Sequence, residues 1–119
     1  MIVGMCLRVV IVDDHARFRA QATELLLMEC FTVVGDAATG ANGVALSRQL
    51  EPDLVLLDVG LPDGSGFDLV AAMHATGAAV VLTSSRSVRD YGRRVADSGA
   101  EGFISKEELT GEAIRALLG

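Results

Sequence analysis

Five short apolar runs alternate with segments whose apolar residues recur at helical spacing, and this alternation restricts the fold more than any other feature. The runs are LRVVIVDD (7–14), FTVVGDA (31–37), PDLVLLD (52–58), AAVVLTS (78–84) and GFIS (102–105). Helical spacing is found in 16–29, 42–50, 67–73, 88–98 and 109–118. Strands that alternate with helices are typical of right-handed βαβ units around a parallel sheet. The pattern therefore predicts an α/β fold, a doubly wound sheet in a three-layer sandwich.

Composition limits the class of protein further. The 119 residues are 50% hydrophobic, which suits one globular domain spanning 1–119. The net charge of −6 argues against direct nucleic acid binding by this domain. No apolar run approaches the ~20 residues that cross a bilayer, so we expect no membrane insertion and a cytoplasmic location. Cys6 and Cys30 lack metal-ligand spacing and are predicted to be small buried hydrophobes in a reducing compartment.

Polar side chains stand where the predicted strands end. In a doubly wound fold, sites form at the carboxyl ends of the strands. If the strand order is 2-1-3-4-5, one edge of the sheet collects Asp13 and Asp14 from strand one, Asp58 from strand three, Thr83 and Ser84 from strand four, and Lys106 after strand five. The sequence thus predicts a cluster of three carboxylates, a hydroxyl group and an ammonium group.

The chemistry of this cluster points to phosphoryl transfer. Three carboxylates in a partly desolvated place repel one another and require a cation. A few hard oxygen ligands suit Mg²⁺, whose coordination is usually completed by water and phosphate. A lysine and a hydroxyl can each bind another phosphoryl oxygen. Asp58, at the centre, is the candidate nucleophile.

The motifs VDDH, DVGLPDGSG, LTSS and GFISK together resemble the receiver domain of bacterial two-component response regulators, over essentially the whole chain. The resemblance implies a flavodoxin-like sheet of order 2-1-3-4-5 and a switch phosphorylated by a sensor histidine kinase. It implies Asp58 as the phosphoacceptor and Lys106 as the signature lysine. Asp13, Asp14, Asp58 and the carbonyl of Gly60 would hold the Mg²⁺.

Two switch positions follow from the same resemblance. The spacing common in the family, counted back from Lys106, selects Ser84 as the hydroxyl that meets the phosphoryl group. Thr83, one residue earlier, should face the opposite side of the strand, unless an insertion in the following helix restores it. Phe103 matches the family's aromatic switch position but lacks a hydroxyl.

Other functions and features remain open to test. An aspartyl-phosphate phosphatase would resemble D-x-D, and the position of its second acid is Gly60 here. A degenerate receiver would act only as a binding module. Family members often pair through helix four, strand five and helix five, so a homodimer is possible. We interpret His15 as an exposed neighbour of a helix start rather than as an acid–base group.

Overall fold

The computed structural model describes residues 6–119, and its elements follow the predicted alternation. The strands are β1 (Leu7–Val12), β2 (Phe31–Ala37), β3 (Leu54–Asp58), β4 (Gly60–Leu61), β5 (Gly64–Ser65), β6 (Ala79–Ser84) and β7 (Gly102–Ser105). The α-helices are α1 (Ala16–Met28), α2 (Gly40–Leu50), α3 (Val70–His74), α4 (Arg94–Ser98) and α5 (Gly111–Leu118). Residues 1–5, part of the predicted domain 1–119, lie outside the described residues.

The main sheet has the order β2-β1-β3-β6-β7, and its strands pair in parallel. The strands β4 and β5 form a separate two-residue hairpin directly after β3. Without that hairpin the order is the predicted 2-1-3-4-5. The doubly wound α/β fold is confirmed.

The apolar side chains divide into two cores, one on each face of the sheet, because successive strand residues point to opposite faces. One core lies under α1 and α5; its largest buried members include Ile11, Leu26, Phe31, Leu56 and Ile114. The other lies under α2 and α3; its buried members include Val12, Leu57, Val70, Met73 and Leu82. Both faces are covered, as in a parallel sheet of βαβ units.

The prediction of one continuous helix over 88–98 is wrong. The chain forms a 3₁₀ turn at Val88–Tyr91, and α4 begins only at Arg94. Gly92 lies between them with φ of 57°, a left-handed conformation that an α-helix does not contain. α4 is therefore only five residues long, and it buries none of them within the described chain.

The prediction that Cys6 and Cys30 are small buried hydrophobes is also wrong, because they form a disulfide. Each cysteine immediately precedes a strand, and the residues that follow them, Leu7 and Phe31, are register partners of β1 and β2. Adjacent strand starts thus bring the two Cα atoms within 4.9 Å, a normal separation for a disulfide. Sequence spacing carried no sign of this pairing.

Among the helices within residues 6–119, none is long and apolar enough to cross a membrane.

Candidate functional site

The ends of β1 and β3 bring two acids together. Val12 pairs with Leu57, so the next residues, Asp13 and Asp58, lie side by side at the carboxyl edge of the sheet. Both are buried: Asp13 is 0% and Asp58 4% exposed. The ends of β1 and β3 therefore meet at one edge of the sheet, as the sequence predicts.

A cluster of potential metal ligands surrounds these acids. One ligand atom from each of Asp13, Asp14, His15 and Asp58 lies within 4.8 Å of the others. His15 Nδ1 is 3.0 Å from Asp13 Oδ1 and 3.2 Å from Asp14 Oδ1. His15 is exposed, as expected, but its contact with both acids was not predicted. Its position directly after the acid pair was the available signal.

Lys106 supplies the positive charge of the site. Its Nζ lies 2.7 Å from Asp13 Oδ2 and 3.6 Å from Asp58 Oδ2. The contact with Asp13 is an ion pair, although Asp13 Oδ2 accepts no well-oriented hydrogen bond within the described chain. The ammonium also lies 4.6 Å from the ring centre of Phe18, a cation–π contact from α1. Phe18 thus helps hold the lysine over the acids.

The surroundings of Asp58 disfavour its charged form. Burial raises the pKa of the Asp58 carboxyl most, and Asp13 and Asp14 raise it further. Lys106 and a backbone hydrogen bond from Gly60 act in the opposite direction. The result is a pKa raised from 3.8 to about 6. Asp58 is therefore mostly ionised at neutral pH. Its surroundings favour any change that offsets this charge, such as binding of a cation or modification of the carboxylate.

The glycine-rich loop after Asp58 is held tightly against β3. Gly66 N donates to Val59 O at 2.7 Å, and a Cβ on Gly66 would lie 2.3 Å from the Asp58 carbonyl oxygen. Only glycine allows this close approach. The Asp63 carboxylate accepts hydrogen bonds from the backbone of Ala41 and Gly40 at the start of α2, and these bonds lower the pKa of Asp63. The loop is thereby anchored to a second element.

The register of β3 and β6 separates the two candidate hydroxyls. Asp58 pairs with Thr83, so these two side chains share a face of the sheet. Thr83 is buried, and its hydroxyl has no hydrogen-bond partner among residues 6–119. Ser84 points to the other face, where its hydroxyl lies 2.5 Å from Tyr91 Oη and accepts from Arg86 N at 3.0 Å. The sequence had favoured Ser84, whereas the register favours Thr83.

Phe103 lies in an aromatic group that the sequence did not predict. Tyr91 packs between Phe67, with ring centres 5.4 Å apart, and Phe103, with ring centres 5.7 Å apart. Arg94 lies over Phe67 at 4.5 Å from the ring centre. Tyr91 is the chain's single tyrosine, and that rarity was the only signal for it.

The donor set fits a hard divalent cation. Asp13, Asp14 and Asp58 bring three carboxylates together, and the single ammonium of Lys106 cannot balance their charge. Carboxylate oxygens dominate the set, as Mg²⁺ prefers. Gly60 is exposed beside the acids, and nothing lies within 4 Å of where its Cβ would stand.

Comparison with known proteins agrees with this geometry. The family model described as response regulator receiver domain matches residues 9–118. The virulence-factor transcription regulator BvgA of Bordetella pertussis is 33% identical over 111 residues, which cover 92% of this chain and 53% of BvgA. The DNA-binding transcriptional activator EvgA of Escherichia coli is 28% identical over 110 residues, 91% of this chain and 54% of EvgA. The chain spans about half the length of these curated relatives.

A solved structure gives the same answer for the fold. The signal receiver domain of the response regulator NarL from Mycobacterium tuberculosis superposes with a TM-score of 0.82 at 30% identity, covering 97% of this chain and 98% of that one. The strand order, the acid cluster with its lysine and the match over residues 9–118 lead to one conclusion. This chain belongs to the response regulator receiver domain family.

Proposed function

We propose that the chain is a phosphorelay switch in which Asp58 accepts a phosphoryl group from a sensor histidine kinase. The observation that carries the proposal is the meeting of Asp13, Asp14 and Asp58 within 4.8 Å, with Lys106 Nζ 3.6 Å from Asp58. No single strand could assemble this site, and each member has a use in phosphoryl transfer.

The reaction needs little covalent chemistry from the protein. An Asp58 carboxylate oxygen attacks the phosphorus of a phosphohistidine, the P–N bond breaks, and the departing imidazole takes up a proton. Lys106 stabilises negative charge on the transferred group. Position 60 carries no acid to activate water, which favours a long-lived aspartyl phosphate over phosphatase turnover.

Asp13, Asp14, Asp58 and the Gly60 carbonyl would hold Mg²⁺. When bound, the ion neutralises charge on the carboxylates and on the phosphoryl oxygens. Asp58 and Lys106 do the remaining work of this site: Asp58 provides the nucleophilic oxygen, and Lys106 binds an oxygen of the transferred group.

Thr83 is our choice for the hydroxyl that binds the phosphoryl group. It shares the face of Asp58, and its buried hydroxyl lacks a partner within the described chain. We expect Thr83→Ala to weaken binding of the phosphoryl mimic beryllofluoride by about ten- to a hundredfold, the usual range for a hydrogen bond to a charged group. Ser84→Ala, the matched control one residue on, should not weaken it.

Phosphorylation would be read at the surface of α4, β7 and α5, with Phe103 changing its packing there. We propose transcription in the cytoplasm as the regulated output, because the relatives BvgA and EvgA carry the names of transcription regulators. A homodimer through the same surface is part of this proposal. The acidic charge of −6 supports control of DNA binding by another domain or partner rather than direct contact.

The decisive experiment is phosphorylation by a small phosphodonor with Mg²⁺, followed by intact-mass measurement. We expect one stable phosphoryl adduct on the wild-type chain and none on Asp58→Asn. Asp68→Asn, a change of an exposed acid in the 3₁₀ turn after the loop, is the matched control and should label normally.

Each other outcome contradicts a defined part of the proposal. Normal labelling of Asp58→Asn would refute the nucleophile. Consumption of the donor without an adduct would identify a phosphatase. A wild-type chain that neither labels nor consumes the donor would be a degenerate receiver that acts by binding alone.

A further inference from the structure

The end of β6 carries two hydroxyls that face opposite ways. Thr83 shares the face of Asp58, while Ser84 faces the 3₁₀ turn Val88–Tyr91. Ser84 is buried, and its hydroxyl is 2.5 Å from Tyr91 Oη. The same oxygen accepts from Arg86 N at 3.0 Å. Ser84 thus closes the chain between β6 and Tyr91 into a small hydrogen-bonded loop.

Tyr91 connects this loop to two distant parts of the chain. Its ring meets Phe67 edge-on, just after the loop that follows Asp58, and it meets Phe103 in β7. Arg94 at the start of α4 covers the outer face of Phe67. A displacement of Tyr91 would therefore reach the α4 and β7 surface through direct contacts.

We propose that the Ser84–Tyr91 hydrogen bond is a latch that holds the segment between β6 and α4 in its unphosphorylated arrangement, and that Tyr91 is the positioning residue through which this segment responds. The inference rests on the proposed function, since the latch opposes the arrangement that phosphorylation of Asp58 favours. Phe103 has no hydroxyl with which to do the same.

Thr83 and Ser84 are neighbours in the chain, so movement of one is transmitted to the other. Thr83 has no hydrogen-bond partner within 6–119, so a phosphoryl oxygen on Asp58 would give its hydroxyl a first one. Movement of Thr83 toward that oxygen displaces the adjoining Ser84, and the close hydroxyl pair with Tyr91 separates. α4 has five residues and buries none of them in the described structure, so few packing contacts oppose the motion.

The latch should change the affinity of the chain for a phosphoryl mimic. A bond present only in the unphosphorylated arrangement opposes binding of any group that favours the other one. Its removal should tighten that binding, whereas general damage to the fold should weaken it. This difference in sign separates a latch from a merely structural contact.

The test measures binding of beryllofluoride with Mg²⁺ by ¹⁹F NMR in the wild-type chain, Tyr91→Phe, Ser84→Ala and the double variant. Tyr91→Phe keeps the ring that contacts Phe67 and Phe103 and removes only the hydroxyl. We expect each single variant to bind about two- to tenfold more tightly, the range of one neutral hydrogen bond. The double variant should gain no more than either single variant.

Intrinsic fluorescence provides a second readout, because Tyr91 is the only tyrosine and the chain has no tryptophan. Beryllofluoride should change the wild-type emission with the midpoint measured by NMR. In Ser84→Ala, where the latch is already open, the change should be smaller.

The outcomes distinguish the latch from the function on which it rests. Unchanged or weaker affinity in Tyr91→Phe, or additive gains in the double variant, would overturn the latch while leaving the phosphoacceptor intact. Beryllofluoride binding by the wild-type chain without any change in Tyr91 emission would also overturn it. Absence of binding by the wild-type chain would overturn the proposed function and the latch together.

Discussion

The two faces of the sheet are built differently. On one face lie α1, with 13 residues, and α5, with eight. The disulfide fastens the start of β1 to the start of β2, and Glu29 accepts hydrogen bonds from Gly111 N and the Arg115 side chain. On the other face, α2 has 11 residues, but α3 and α4 have only five each, and α4 buries none of its described residues. The face that carries α1 and α5, here called the firm face, thus has ties that α4 on the other face lacks.

The acid site and the Ser84–Tyr91 pair lie on different faces. Asp58 and Lys106 belong to the firm face, since Asp58 shares its side of β3 with Leu54 and Leu56, and Lys106 packs on Phe18 of α1. Ser84 and Tyr91 belong to the other face. A receiver needs a rigid frame to hold its charges and a soft segment to report a change. The firm face suits the first need, and the short α4 without buried residues suits the second.

Truncating a side chain should lower the free energy of unfolding much more on the firm face than in α4, and this is the largest expected difference. Leu26 in α1 is completely buried, so Leu26→Ala should lower the free energy of unfolding by about 2–5 kcal/mol. Val95→Ala in α4 should change it by less than about 1 kcal/mol. Chemical denaturation measures both. Equal losses would show that α4 packs as firmly as α1.

Removing the disulfide tests how much it contributes to the stability of the firm face. Cys30→Ser removes a link that closes a loop of sequence separation 24, and it should cost about 3 kcal/mol. Reductant should produce a similar loss in the wild-type chain and none in the variant, as thermal melts would show. If reductant leaves the wild-type melting temperature unchanged, the disulfide does not stabilise this face.

Native-state hydrogen exchange compares the faces without a mutation. Backbone amides in the centre of α1 should exchange at least about a hundredfold more slowly than those of α4, because few buried contacts oppose local opening of α4. Mass spectrometry of peptides from the two helices gives the rates. Similar protection would remove the basis for a mobile segment.

The raised pKa of Asp58, which lies on the firm face, predicts that the free energy of unfolding depends on pH. An unfolded aspartate ionises near 3.8 and the folded one near 6, so ionisation destabilises the fold as pH rises between these values. Without Mg²⁺, Asp58→Asn should therefore be more stable than wild type at pH 7 by about 1–3 kcal/mol. The gain should disappear below pH about 4. Asp68→Asn should show little change at either pH, and a destabilised Asp58→Asn would contradict the assigned environment.

Much of this protein could be predicted from the sequence. The strands and most helices followed from local periodicity, and turn chemistry marked the loop after Asp58. The site residues Asp13, Asp58 and Lys106 were predictable because parallel strands must end at one edge, whatever the details of packing. Exact helix limits were less accurate: α2 begins at Gly40 and α5 at Gly111, each capped by a threonine just before it.

Three features depended on the tertiary structure. Which of Thr83 and Ser84 shares the face of Asp58 depended on the register between β3 and β6, which no local pattern records. The pairing of Cys6 with Cys30 required the neighbouring starts of β1 and β2. The place of Tyr91 between Phe67 and Phe103 required three segments to meet. Local propensity and apolar periodicity are properties of neighbouring residues, so the sequence alone determined the elements and the edge where the acids meet. Register and side-chain contact depend on residues far apart in the chain, and only the folded structure decided them.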